Sequence, residues 1–378
     1  MRNLFLLIII ASLLLSCSTG KKAYERGDYY QATLQAVNRL RSNPESEKAI
    51  AALQSSYPMA LNYFQGKIDY ALASNRPFKY SEIVDYYELM NHMADEISRC
   101  PAALDLYPNV NSYASELASA KNMAAEEQYN AGLENEKINT RVSWKNAYYN
   151  FEQADCFIPG YRDVVERMRI AKFYATLKVI VEPIPVPHAY ELTSDFFLQQ
   201  VIENLQTNRP NEFVDYYTPA SAEKSGLKVP DQVLKLSFDE FVIGQTYDKE
   251  TVIDVSRDSV EVGTVKMPDG TVQKVYGTVK AKFSRYRREI SSNGVLNVSI
   301  IDFPMDQVVS QRKFPGQFVW FTEWGRYNGD ERALSKDQLA LCNKKPVFPP
   351  SPQELFVEFT KPIYSQVTPY LREFYKRY

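Results

Sequence analysis

The chain holds few side chains suited to acid–base or nucleophilic work. Two histidines occur in 378 residues. His92 sits in YYELMNHMADEI among core-type residues, and His188 lies in a proline-rich bend, PIPVPHAYEL. A histidine base needs a nucleophile beside it, and neither GxSxG nor a Cys/His arrangement is present. HExxH, the phosphate-cradling GxxxxGKS/T and GxGxxG are absent as well. The pair Asp239-Glu240 falls on a strand pattern, where neighbours point to opposite faces and cannot easily share a substrate. Asp330-Glu331 stands between Gly329 and Arg332 and reads as loop structure. No CxxC and no Cys/His cluster occurs, so no zinc site is expected. No residue is assigned a catalytic, cofactor-binding or metal-ligating role, and the expected protein is not an enzyme.

Two stretches suit binding better. In KAKFSRYRR (280–288), strand geometry puts Lys280, Lys282 and Arg288 on one face, with Ser284 and Tyr286 between them. The other face carries Val279, Ala281 and Phe283, then Arg285 and Arg287. Such a stripe reads either as a solvated outer face or as a site for lipid phosphates or another anionic component. In WFTEWGRY (320–327), Trp320, Trp324, Arg326 and Tyr327 form either domain core or a contact for a protein partner or a glycan.

The thiol of Cys17 is a different kind of reactive group. Arg2 gives a positive start, residues 4–15 form an apolar run broken only by Ser12, and Leu14-Leu15-Ser16 lead into Cys17. The run fits a signal-peptide core and is too short to span a bilayer, which takes about 20 apolar residues. The junction resembles the lipobox of bacterial lipoproteins. That resemblance implies that the thiol receives a diacylglycerol, that residues 1–16 are removed, and that the new amino terminus is acylated. Each buried methylene contributes about 0.8 kcal/mol, so several chains together hold the protein on a membrane. Ser18 after the cysteine implies the outer membrane. The basic Lys21-Lys22, where surface-exported Bacteroidota lipoproteins carry an acidic run, implies a periplasm-facing body.

Without residues 1–16, which carry one charge, the net charge is near −3, too small to gather nucleic acid. Cys100, Cys156 and Cys342 remain, an odd number that cannot all pair internally. A Cys100–Cys156 bridge is open in an oxidising compartment.

These groups must be positioned by two dissimilar halves, 17–176 and 177–378. The first is helical, with candidate helices at 29–41, 45–72, 80–98, 112–136, 141–154 and 161–175. Proline-bearing breaks separate them, and Pro58 kinks or splits the second. AYERGDYYQA (23–32) and AYYNFEQADCFIP (147–159) resemble tetratricopeptide repeats. In the first, Gly27 would let helices approach. In the second, Ala147, Phe151, Ala154 and Pro159 fall at that family's second-helix spacing. The resemblance implies an α-solenoid-like domain with a concave, protein-binding surface; an irregular bundle carries the same stripes.

At 176–192 the period changes. Leu177, Val179 and Val181 alternate as a strand, which breaks at Pro183, Pro185 and Pro187. Thr193-Ser194-Asp195 caps a helix running to Asn208, and 211–217 is a short strand. Strands at 233–241, 251–267 and 271–288 follow, the last two joined by the turn Pro268-Asp269-Gly270. Ser291-Ser292-Asn293-Gly294 predicts another turn before a strand at 295–303. Residues 314–334 read as a last strand and an exposed loop. The tail places Phe356, Phe359, Ile363, Val367, Tyr370 and Phe374 on one helical face, which Pro362 and Pro369 kink or split and which either docks on the sheet or touches a membrane. The expected fold is α+β in two domains, helical first and then mixed with an antiparallel meander. The strand–helix opening, the hairpin and the segment IIDFPMDQVV make the second half similar to the domain of the curli-secretion lipoprotein and of lipoprotein activators of peptidoglycan synthases. The sum is a lipid-anchored envelope protein that binds partner proteins in assembly, secretion or wall maintenance, or else a glycan- or ligand-binding lipoprotein.

Overall fold

The computed structural model describes residues 20–378 except Pro346. Two compact units divide between Ala175 and Thr176. The fold is α+β: a helical half precedes a mixed domain built on one five-stranded sheet.

The helical unit comprises α1 (Lys21–Glu25), α2 (Tyr29–Ser42), α3 (Glu47–Ala73), α4 (Lys79–Ser98), α5 (Pro101–Leu104), α6 (Ala114–Ile138), α7 (Arg141–Phe157) and α8 (Val164–Ala175). The Asp28 carboxylate caps α2 by accepting from the Gln31 N–H, and a Thr140–Ser143 capping box starts α7. In α4 the residues Ile83, Met90, Met93 and Ile97 repeat at helical spacing and are buried. α6 and α7 cross closely because Gly132 has no side chain: a Cβ there would meet the Phe151 ring at 2.5 Å. Ala147, Phe151 and Ala154 are fully buried. Gly27 corrects its expected role. It lies in the turn before α2 at φ +80°, with nothing near its Cβ position, so it serves a left-handed turn rather than a close crossing. Pro58 sits inside an unbroken α3. Cys100 and Cys156 are both free thiols; Cys100 is buried beside the Val37 carbonyl while Cys156 is exposed.

The second unit starts with β1 (Leu177–Val181), α9 (Glu191–Thr207), β2 (Val214–Tyr217) and the short α10 (Pro219–Lys224). Then come β3 (Gln232–Lys266), β4 (Val272–Asp302), β5 (Gln307–Gly329), α11 (Lys336–Asn343) and α12 (Pro352–Lys376). The strand order is β2-β1-β3-β4-β5; β1 is parallel to both neighbours, and β3, β4 and β5 are antiparallel. α9 and α12 cover one face over Val179, Leu234, Leu236, Leu296, Val298 and Phe314.

Three local expectations change. The turn at 291–294 does not form, and β4 runs straight through. Gly294 serves a close approach instead: a Cβ would lie 2.7 Å from that of Phe241 and 3.0 Å from the Phe359 ring. The Ser292 hydroxyl accepts from the Gly244 N–H where β3 bulges. α12 stays one helix despite Pro362 and Pro369, because Phe356, Phe359, Ile363, Val367 and Leu371 are fully buried along its length. α9 begins at Glu191, which places Ser194 inside it and buried.

Candidate functional site

β3 and β4 are far longer than the covered part of the sheet, and the sheet changes its covered side along their length. From Ile290 to Ile300 the even-numbered residues of β4 face the α12 core. Nearer the Pro268-Asp269-Gly270 turn, the odd-numbered Val279, Ala281 and Phe283 are buried instead, under Ala333, Leu334 and the α11 residues Leu339 and Cys342. The even face from 280 to 288 is therefore left uncovered.

Register fixes what stands on that face. Asp248 pairs with Arg288, which pairs with Thr322; Glu250 with Tyr286 and Trp324; Val252 with Ser284 and Arg326; Asp254 with Lys282 and Asn328; Ser256 with Lys280. The Trp324 and Tyr286 rings stack at 5.5 Å and 12°, and the Arg326 guanidinium lies 5.8 Å from the Tyr286 ring. Beside them an open cleft of about 570 Å³ is lined by Asp254, Ser256, Lys280, Lys282 and Asn328. Lys280 and Lys282 make no ion pair among the described residues.

The structure thus gathers six of the seven residues singled out for contact. Lys280, Lys282, Arg288, Trp324 and Arg326 share the open face, and Trp320 stands half-buried where it meets the core. Tyr327 is the exception. Its odd number turns it to the opposite side, opposite Phe283, with its hydroxyl 3.3 Å from Glu331. Arg288 is also engaged: Nε and Nη2 donate to the two Asp248 oxygens at 2.8 and 2.7 Å. Those hydrogen bonds hold the Asp248 carboxyl below its usual range. Of the basic stripe, Asp248 of β3 neutralises Arg288, while Glu250 and Asp254 of β3 stand on the same face. Sequence reasoning missed these three, because their pairing crosses a long hairpin.

On the other side, Glu323 accepts from Arg285 and Arg287 at 2.8 and 3.2 Å, which lowers its carboxyl, the Arg285 hydrogen bonds first. Arg287 also lies 4.5 Å from the Phe321 ring. The groups first considered for acid–base chemistry have structural partners. The His92 Nδ1 is 2.7 Å from the Tyr30 hydroxyl, and His188 Nδ1 is 2.7 Å from Glu191. Asp239 pairs with Lys313 at 2.6 Å and Asp330 with Arg332 at 2.6 Å. Among the described residues no cluster of His, Cys, Asp and Glu could hold a metal ion, and no helix is long and apolar enough to cross a membrane. Cys17 lies outside the described residues.

No family model matches the chain, and no curated protein matches it. Among solved structures it is similar to one described as a neuraminyllactose-binding hemagglutinin homologue from Helicobacter pylori. The identity is 10%, the match covers 53% of this chain and 91% of that one, and the TM-score is 0.26. A likeness of that size assigns no function.

Proposed function

We propose that the chain is a non-catalytic lipoprotein, tethered through acyl chains on Cys17 to the outer membrane and facing the periplasm, that binds partner proteins of the envelope. One observation carries the binding part: the uncovered face of β3–β5, where Trp324, Tyr286 and Arg326 stack beside charges of both signs. Aromatic rings and arginine are the side chains that contribute most at protein interfaces. A polyanion would favour a face of one sign, and here Asp248, Glu250 and Asp254 share the face with Arg288, Lys280 and Lys282. The mixture suits a protein surface of mixed charge. A tether raises the effective concentration, so modest affinity is enough.

The test is capture from detergent-solubilised envelopes with the full chain and with Trp324→Ala. A stoichiometric envelope protein should accompany the parent and be lost from the variant. Capture of none, or capture indifferent to Trp324, removes the reading. The tether is tested separately by Cys17→Ser, which should abolish palmitate labelling and membrane sedimentation; retention of both rejects it.

A second reading, glycan or small-ligand binding, draws support from the cleft of Asp254, Ser256, Lys280, Lys282 and Asn328, whose donors and acceptors suit sugar hydroxyls beside stacked rings. Binding to a glycan array that is lost in Lys282→Ala would favour it over the first.

A further inference from the structure

The parallel part of the sheet ends in a cavity well away from the long antiparallel strands. β1 and β2 run side by side in the same direction, connected through α9, and stop at Val181 and Tyr217. Just beyond those ends lies a cavity of about 470 Å³, a size that suits a small molecule. The space outside the carboxyl ends of parallel strands is where open α/β sheets commonly bind ligands. Its floor is apolar: Val181 of β1 and Leu198 and Ile202 of α9 are at most 9% exposed.

Two prolines stiffen the walls. Pro183 stands in the bend that ends β1. Pro219 takes the first position of α10, which the Thr218–Ser221 capping box holds in place. With φ fixed at both, little order has to be imposed when something enters. The polar lining comes mainly from α9, where Asp195 and Gln199 stand one helical turn apart. Neither side chain hydrogen-bonds or pairs with another group among the described residues. Asp195 is also the one charged residue among those described that line the cavity. The Thr218 hydroxyl, by contrast, is engaged in its cap.

We infer that this cavity binds an amphiphilic amine: an aliphatic or aromatic group seated on Val181, Leu198 and Ile202, with its protonated nitrogen beside the Asp195 carboxylate and the Gln199 amide. A wholly apolar ligand would cover Asp195 and leave it unpaired, which costs free energy. A carboxylate or phosphate would meet a like charge. A cation supplies the partner that the chain itself does not, through a charge-assisted hydrogen bond. A free amine and the amino-terminal residue of a peptide share this chemistry. The inference rests neither on Cys17 nor on the open face of β3–β5, so it stands or falls apart from the proposed function.

The test is saturation-transfer NMR on the full chain in mild detergent, with the micelle-only signal subtracted. The probes are phenethylamine, the neutral phenylethanol and the anionic phenylpropionate. The amine should bind about tenfold more tightly than the alcohol, as one charge-assisted hydrogen bond allows, and the acid least of the three. Asp195→Asn should remove the preference for the amine and leave the alcohol unchanged. Ala220→Trp sets an indole at the cavity from α10 and should abolish binding of amine and alcohol alike. An amine that does not bind the parent, binds no better than the alcohol, or keeps its preference in Asp195→Asn overturns the proposal. Binding indifferent to Ala220→Trp does the same. If Ala220→Trp does not fold, Gln199→Trp blocks the cavity from the α9 side and decides. A phenylalanyl tripeptide separates the two sources: tighter binding than phenethylamine, lost on acetylation of its amino terminus, assigns a peptide end, and weaker binding assigns a free amine.

Discussion

The indole of Trp324 lies nearly parallel to the phenol of Tyr286, at 12° and 5.5 Å, across the β4–β5 ladder on a face that no helix covers. Cross-strand aromatic pairs contribute about 0.5–1.5 kcal/mol beyond the area they bury. Trp324→Ala should therefore destabilise the second unit by about 1 kcal/mol in urea unfolding. If the pair serves binding, partner capture should fall much further than that stability loss explains.

Gly316 lies against α12, and a Cβ there would collide with the Phe359 carbonyl oxygen and approach Ile363 Cγ1 at 2.6 Å. A helix backbone has little room to yield. Gly316→Ala should cost about 1–3 kcal/mol, the range for overpacked cores, and should expose the α12 interface to hydrogen exchange. Gly160→Ala has open space at its Cβ position but a φ of +73°, so its loss is one of backbone strain alone and should be the smaller.

In the helical unit, Arg167 ties α8 to polar groups of α6 and to Asp163 just ahead of α8. Its Nη1 donates to Glu136 at 2.6 Å and its Nε to Asp163 at 3.1 Å, while the Tyr129 hydroxyl donates to Asp163 at 2.5 Å. The Glu136 side chain is largely buried. Arg167→Ala leaves that carboxylate without its cation and should destabilise by about 1–3 kcal/mol. Adding Glu136→Gln should restore part of the loss in a double-mutant cycle; additive losses would show the pair to be uncoupled.

Asp330 is held at about 2, below its ordinary 3.8, by hydrogen bonds from the Arg332 side chain and backbone. A carboxyl depressed in the folded state stabilises fully above its unfolded value. That contribution is lost as pH falls from 3.8 toward about 2. Carboxyl NMR should find Asp330 still ionised at pH 3, and Arg332→Gln should return it toward 3.8. Arg332 also donates to the Glu261 carbonyl at 2.5 Å, so the same variant should speed amide exchange in the nearby part of β3. An unchanged titration would show that Arg332 does not hold the carboxyl.

Thiol labelling separates the cysteines. Cys156 should react in the native protein, Cys100 only after unfolding, and gel mobility should be the same with and without reductant. A reductant-sensitive shift would instead reveal a bridge.

Elements defined by period were legible in the sequence, and those defined by contact were not. The alternation of Leu177, Val179 and Val181 gave β1, and the step from Phe356 to Phe374 gave the buried face of α12, because burial on one side leaves a repeat in residue type. Glycine and proline misled, because their meaning depends on what lies beside them. Ser291–Gly294 has the composition of a turn, yet Gly294 is there to admit Phe241 and Phe359. The prolines of α12 are tolerated because a whole apolar face pins the helix down. The open face was half legible. Alternation correctly grouped Lys280, Lys282 and Arg288, and odd–even counting would have set Tyr327 apart from Trp324. The acidic partners were hidden by bulges. Counting back from the Pro268-Asp269-Gly270 turn pairs Arg288 with Glu250, and two extra residues in β3 move the partner to Asp248. A bulge leaves no residue-type signature in a strand this polar.

α12 follows all five strands in the chain, yet it supplies the side chains that keep water off the sheet's apolar face. During synthesis every strand exists before α12 does, so the part of that face that α9 does not cover waits, wet and adhesive, while some fifty further residues emerge after β5 ends. A nascent chain in this condition needs a holder or a delay, and any cut upstream of Pro352 would leave it that way for good.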